Sequence, residues 1–121
     1  MNIPFQQSSR RALERESEAL LSAARARREA STNQLIADLA ENLAGIDGAR
    51  RTEALASGDL LPEAELTYKA ALAGYENGKL DFATLLDAQR QIRQARQEQI
   101  RAQSEGQARL AEVERILGED L

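Results

Sequence analysis

The fold is decided by residues 75–90, which read YENGKLDFATLLDAQR. Asn77 and Gly78 form the clearest break in a chain built largely from strong helix formers, and Gly78 suits the left-handed position just past a helix end. Asp81 follows shortly afterwards, and its side chain can cap a new helix. The stretch therefore predicts two helices joined by a tip turn at residues 77–80.

Upstream of the turn, the composition favours one long helix over residues 9–76. Ser8 and Ser9 offer an N-cap, and no proline follows until Pro62. Residues 1–8, before the cap, predict an extended stub. Apolar side chains recur at helical spacing on one face, at Leu35, Leu39, Leu43 and Ile46.

Pro62 marks a second irregular point in the long helix. Proline lacks a backbone donor and clashes with the carbonyl four residues earlier, which belongs to Gly58. Because glycine can absorb a bend, we expect a continuous helix kinked near residues 58–62. The alternative is a chain reversal in which Asp59 caps a third helix.

A second helix is predicted over residues 81–118, with Gly118 as its stop. It carries two rows of side chains at seven-residue spacing, apolar at both ends but polar or small in the middle, unlike the Leu and Ile of an ordinary two-stranded coiled coil. The first row is Leu85, Ile92, Gln99, Gly106 and Val113, and the second is Phe82, Gln89, Arg96, Gln103, Leu110 and Leu117. The expected fold is all-α: one domain formed by a long, antiparallel, coiled-coil-like helical hairpin.

The composition excludes several classes of protein. Apolar residues make up 42% but aromatic residues only 3%, which suits long helices better than a compact core. The chain has no Cys and no His, so the commonest metal ligands and general base are missing, and we expect no enzyme, metal or cofactor. A net charge of −4 gives no basic patch for nucleic acid. No apolar run reaches the length of a membrane helix.

The motifs around the turn resemble those of the TolC-like outer membrane efflux proteins. That family commonly has Tyr, two variable residues and Gly, followed by Leu-Asp-Ala-Gln; here these are Tyr75, Gly78 and residues 86–89. Three further segments resemble family elements, in the correct order. Residues 3–11 resemble the passage from the last barrel strand into the long helix, and residues 60–64 (LLPEA) resemble the element that precedes the tip. Residues 111–118 resemble the end of the family's helix. Among its branches, the heavy-metal-efflux branch is the most similar.

This resemblance implies a part of the periplasmic α-helical tunnel of a trimeric channel. The channel would be a passive conduit of a tripartite export system, with a periplasmic adaptor and an inner-membrane pump as partners. The parent would lie in the outer membrane, with this segment in the periplasm. Because the family has two such repeats, barrel strands and a signal peptide, we interpret the chain as a fragment that is soluble and without a signal peptide as written.

The resemblance also assigns roles to particular residues. Asp87 matches an aspartate near the narrow tunnel entrance, whereas Thr84 stands in place of a second entrance aspartate. Leu80 replaces a frequent tip arginine. Asp81 is expected to cap the second helix because of its side-chain chemistry, independently of the resemblance. The tip turn and adaptor contact would comprise Tyr75, Asn77, Gly78, Lys79 and Leu80.

A second hypothesis is a stand-alone helical-hairpin interaction module, such as an adaptor-like coiled coil without transport activity. Such a module should show stricter apolar heptads than Gln99 and Gln103 allow. Under either hypothesis, Leu13 and Leu20 lie on the part of the long helix that the shorter helix cannot cover. We therefore expect the chain to self-associate, as a dimer.

Overall fold

In a computed structural model, the chain is described over residues 3–118, with side chains from Gln7 onward. Helix α1 spans Ile3–Leu55, a π-helical turn spans Ala56–Leu60, α2 spans Leu61–Glu76 and α3 spans Phe82–Leu117. No strand occurs in this described range. Both α2 and the π turn pack against α3, so the predicted all-α helical hairpin is confirmed.

The chain divides into two units, where the sequence predicts a single domain. The first contains the described residues up to Asp38, and the second those from Leu39 onward. In the first unit, every side chain described before Asp38 is exposed. Its side-chain hydrogen bonds are local, as where Ser17 Oγ donates to the Leu13 carbonyl at 2.8 Å. The second unit contains the hairpin.

The start of α1 corrects the expected extended stub. The helix begins at Ile3, so residues 3–8 are helical. Pro4 is compatible with this start, because the N–H groups of a first turn have no intrahelical acceptor and the proline ring already holds a helical φ. The serines expected to cap the helix, Ser8 and Ser9, therefore lie inside it.

Between α1 and α2 the helical path continues through the π turn. The Leu61 N–H donates to the Ala56 carbonyl, five residues earlier, and Leu61 keeps right-handed helical dihedral angles. Pro62 lies in the first turn of α2. The structure thus has an unbroken helical path with one widened turn at residues 56–60, and the chain does not reverse near Asp59.

The second unit is held together by buried alanines, which we call the alanine seam. On one side the seam contains Ala49, Ala56, Ala64 and Ala71, and on the other Ala88, Ala95 and Ala102. None of these is more than 6% exposed. Among the described side chains, Val113 and Asn42 are the other buried ones. Small side chains let the two helices approach closely: a Cβ added at Gly106 would lie 3.6 Å from the Ala49 Cβ.

The two rows predicted on α3 do not form this seam; they lie beside it on the same helix. The first row is half-buried, with Val113 as its buried member. The second row is exposed, as shown by Phe82 at 56%. Its polar members reach the opposite arm: Gln103 donates to a Glu53 carboxylate oxygen at 2.6 Å. On the apolar face predicted on α1, Leu35 and Leu43 are exposed, at 51% and 52%, whereas Leu39 and Ile46 are half-buried.

A larger side chain in the seam should force the helices apart. We expect Ala95→Leu to lower the free energy of unfolding by about 1–3 kcal/mol, the usual cost of overpacking a close contact. Ala108→Leu is the matched control, because Ala108 lies exposed on the same helix. Urea unfolding followed by circular dichroism measures both, and equal midpoints for the two variants would contradict close packing at Ala95.

Candidate functional site

The tip of the hairpin is the candidate site, and it begins with the ordered end of α2. Beyond Glu76, Gly78 adopts the left-handed conformation with φ 66°. The Gly78 N–H donates to the Tyr75 carbonyl at 2.9 Å, and the Lys79 N–H donates to the Gly74 carbonyl at 2.8 Å. This pair of bonds is the Schellman arrangement, which satisfies carbonyls that a helix end leaves open. Asn77 adds a side-chain bond, since its Nδ2 donates to the Ala73 carbonyl at 2.7 Å.

Leu80 folds back over the last turn of α2, and Gly74 makes room for it. A Cβ added at Gly74 would lie 2.6 Å from the Leu80 Cδ1 and 2.8 Å from its Cγ. The Leu80 N–H also donates to the Gly74 carbonyl at 3.1 Å. Sequence reasoning assigned Gly74 no role. Its position inside a helix, a few residues before a predicted stop, is the signal that could have identified it.

Asp81 caps α3. Its Oδ1 accepts from the Thr84 backbone N–H at 2.9 Å and from the Thr84 hydroxyl at 2.6 Å. The side-chain bond first, and then the backbone bond, lowers the pKa of Asp81 below its ordinary value of 3.8. Thr84 therefore serves the cap.

An aromatic contact bridges the two helices at the tip. The Tyr75 and Phe82 rings have centroids 5.9 Å apart and are tilted by 55°, within the geometry of attractive aromatic pairs. Residues 75–84 are all exposed. The contact therefore steadies the turn while leaving its surface open to solvent. The sequence predicted Tyr75 at the tip but not its pairing with Phe82.

Asp87 lies on the first turns of α3, beyond the cap. Its Oδ1 accepts from Arg90 Nη1 at 2.7 Å, and the two side chains are 63% and 61% exposed. The pair is local, between residues three apart on one helix, and contributes little to stability by itself. Its effect is to place a positive charge beside the Asp87 carboxylate.

Neither a metal-binding cluster nor a membrane-spanning helix occurs among the described residues. They contain no group of three His, Cys, Asp or Glu side chains placed to bind a metal ion. Within the same range, no helix combines the length and apolar character that crossing a membrane requires. The tip itself is exposed and is ordered by hydrogen bonds at both helix ends.

The Asp81 cap should make stability depend on pH. Because its folded pKa lies below 3.8, the ionised cap stabilises the folded chain above that value, and the contribution is lost as the pH falls through the folded pKa. Asn caps helices about as well but does not titrate. We expect the stability of wild type relative to Asp81→Asn to be constant above about pH 5 and to fall as the pH is lowered through 3.8 toward the folded pKa.

Thermal unfolding at each pH provides the measurement. The pKa of Glu112 is also lowered, through its bond to Arg115, but that group is common to both proteins and cancels in the difference. Asp81→Ala, which removes the cap, should unfold at a lower temperature than Asp81→Asn. A difference between wild type and Asp81→Asn that does not change with pH would contradict the ionised cap.

Comparison with known proteins agrees with this geometry. The family model for outer membrane efflux proteins matches residues 1–119, whereas no curated protein and no solved structure gives a significant match. Members of the matched family are channel proteins of the outer membrane and periplasm, not enzymes. Because the match spans nearly the whole sequence, the chain belongs to the outer membrane efflux protein family.

Proposed function

We propose that this chain forms part of the wall of the periplasmic α-helical tunnel of an outer-membrane efflux channel. The channel would be a trimer and a passive conduit, in which an inner-membrane pump supplies the energy and a periplasmic adaptor joins the two. The family match supports the channel, and the hairpin supports the tunnel.

The observation that carries the proposal is a mismatch between small buried and large exposed apolar side chains. The core of the hairpin consists almost entirely of alanine, while large residues such as Leu55, Leu66 and Ile100 are 52%, 67% and 61% exposed. Alanine buries little apolar area, so a lone hairpin gains little free energy from burial. A tunnel wall resolves the mismatch, because each helical hairpin there has neighbours on both sides.

Two grooves along the alanine seam support the same arrangement. One is lined by Leu60, Ala64, Gln91 and Ala95. The other is lined by Leu43, Ile46, Gly106 and Leu110, among others. Mixed apolar and polar linings of this kind fit packing against further helices of the wall.

The tip is proposed as the adaptor contact. Tyr75, Asn77, Gly78, Lys79 and Leu80 are all exposed. Their backbone is fixed by the Schellman bonds on one side and the Asp81 cap on the other. A surface that is ordered before binding loses little entropy when a partner docks.

Asp87 is proposed to lie near the tunnel entrance, as its motif implies. In a trimer, three Asp87–Arg90 pairs would surround the axis. Carboxylates grouped around a constriction attract cations into it, while the three Arg90 guanidinium groups reduce that field. The heavy-metal-efflux branch is proposed from the same motifs.

The two members of the pair should act in opposite directions on cation block. In the full-length parent channel, Asp87→Ala should weaken block by divalent cations and Arg90→Ala should strengthen it, because each removes one sign of charge from the entrance. Single-channel conductance in planar bilayers measures both, with Asp81→Asn as a control that changes charge at the cap.

Unchanged block in both Asp87→Ala and Arg90→Ala channels would remove the entrance assignment but not the tunnel. The assignment to the heavy-metal-efflux branch can be tested in cells that lack the full-length parent channel. They should become sensitive to divalent metal salts, and sensitivity confined to organic compounds would contradict the heavy-metal assignment.

The chain by itself is proposed to dimerise through its first unit. Leu13 and Leu20 are 59% and 65% exposed on α1. Burying such side chains against a second copy removes apolar area from water. Sedimentation should therefore show a dimer that Leu13→Gln with Leu20→Gln dissociates, whereas Leu66→Gln, at 67% exposed, should leave it intact. A monomer at high micromolar concentration would contradict the proposal.

A further inference from the structure

The alanines on the first side of the seam do not keep one spacing. Ala49 and Ala56 are seven residues apart, as are Ala64 and Ala71, but Ala56 and Ala64 are eight apart. All four are nonetheless buried against α3, with exposed fractions of 6% or less. In an α-helix that follows a seven-residue repeat, one inserted residue turns the positions after it by about 100° relative to those before it.

The π turn lies at the position of the extra residue. It begins at Ala56 and ends at Leu60, inside the eight-residue interval, and its defining bond joins the Leu61 N–H to the Ala56 carbonyl five residues back. A π turn accommodates one residue more than an α-helical turn. It therefore restores the phase of the alanines, which means that those before and after the π turn lie on the same face of the helix.

An uninterrupted α-helix would present different residues to α3. Counting back from Ala64 in steps of seven reaches Ser57, Arg50 and Leu43. Arg50 is exposed in the structure, and moving its guanidinium into the seam would cost free energy for burying an unpaired charge. The π turn keeps Ala56 and Ala49 at these positions instead.

The restored phase continues to the open end of the hairpin, where it ends in a polar pair. Asn42 lies seven residues before Ala49 and is 7% exposed, and Arg109 lies seven residues after Ala102. Arg109 Nη1 donates to the Asn42 Oδ1 at 3.3 Å, and the same nitrogen lies 3.7 Å from a Glu41 carboxylate oxygen. Gly45 makes room for this arginine, because a Cβ there would lie 3.0 Å from the Arg109 Nε.

We propose that the π turn at residues 56–60 is a phase correction, required by the alanine spacing, which carries the seam to the Asn42–Arg109 pair and fixes the register of the open end. A uniform alanine repeat packs almost equally well after a shift, so it specifies register weakly. A single polar pair specifies it, because any other phase leaves a buried polar group without its partner.

Pro62 is the competing cause of the π turn. It has no N–H to donate, and in an α-helix its ring would clash with the Gly58 carbonyl. Kinks and widened turns commonly occur at proline. If proline is the cause, the turn should vanish with Pro62; if alanine phase is the cause, it should remain.

The experiment measures the distance between spin labels at the open end. The chain contains no cysteine, so Leu43→Cys and Leu110→Cys provide two unique labelling sites. The two leucines line the same groove, and their side chains are 52% and 41% exposed. Double electron–electron resonance is recorded for the labelled chain and for versions with Pro62→Ala, with Gly58 deleted and with Lys69 deleted. Thermal unfolding is measured in parallel.

We expect the label distance to be the same in the parent, in Pro62→Ala and in the Gly58 deletion. Removing Gly58 converts the alanine spacing to seven throughout, so an ordinary α-helix then keeps every alanine in the seam. Removing Lys69 instead brings Glu63 to the position of Ala64, so that variant should unfold at a lower temperature than the Gly58 deletion. A changed distance in Pro62→Ala, or a Gly58 deletion that shifts the labels or unfolds as readily as the Lys69 deletion, would overturn the proposal.

Discussion

Burial of small side chains, almost all alanine, between the two arms is the constraint on which the rest of the hairpin depends. Ala64 and Ala95 line one groove of the seam, and Ala49 and Ala102 line another. Alanine offers little apolar area but lets two helix backbones approach closely, and dispersion contacts accumulate over the length of such a seam. The large apolar side chains are thereby left outside, where they are available to neighbours. This division between a small internal core and a large apolar exterior is what suits the hairpin to a wall of many helices.

The seam does not determine the register of the two arms. The contacts at the two ends of the hairpin determine it. At the tip, the Schellman bonds and the Asp81 cap fix the last turn of α2 and the first turn of α3. Leu80 folded over Gly74, and Tyr75 against Phe82, join the two ends. Local chemistry therefore sets the register at the tip, while at the other end the register depends on contacts between residues far apart in sequence.

The sequence predicts local features well and long-range features poorly. The break at Asn77 and Gly78 and the cap at Asp81 depend on the chemistry of adjacent residues, which a single sequence displays directly. The seam is hard to predict because Leu and Ile are the usual core residues of a coiled coil, whereas alanine at a similar spacing does not stand out in hydropathy. The π turn could not be deduced from Pro62 alone, because its phase relation involves residues on both sides and the helix they face. The expected stub is helical from Ile3 onward, because proline is compatible with a first helical turn.

Contacts between alanine methyl groups test the central claim most directly. In a chain carrying carbon-13-labelled alanine, leucine and isoleucine methyl groups, the account predicts nuclear Overhauser effects across the hairpin between Ala64 and Ala95, and between Ala49 and Ala102. The close approach of Gly106 to Ala49, for which an added Cβ would lie 3.6 Å away, predicts a further effect from the Ala49 methyl to the Gly106 α protons. Absence of these effects, with the Leu85 and Ile92 methyl groups meeting the opposite arm in their place, would contradict the alanine seam.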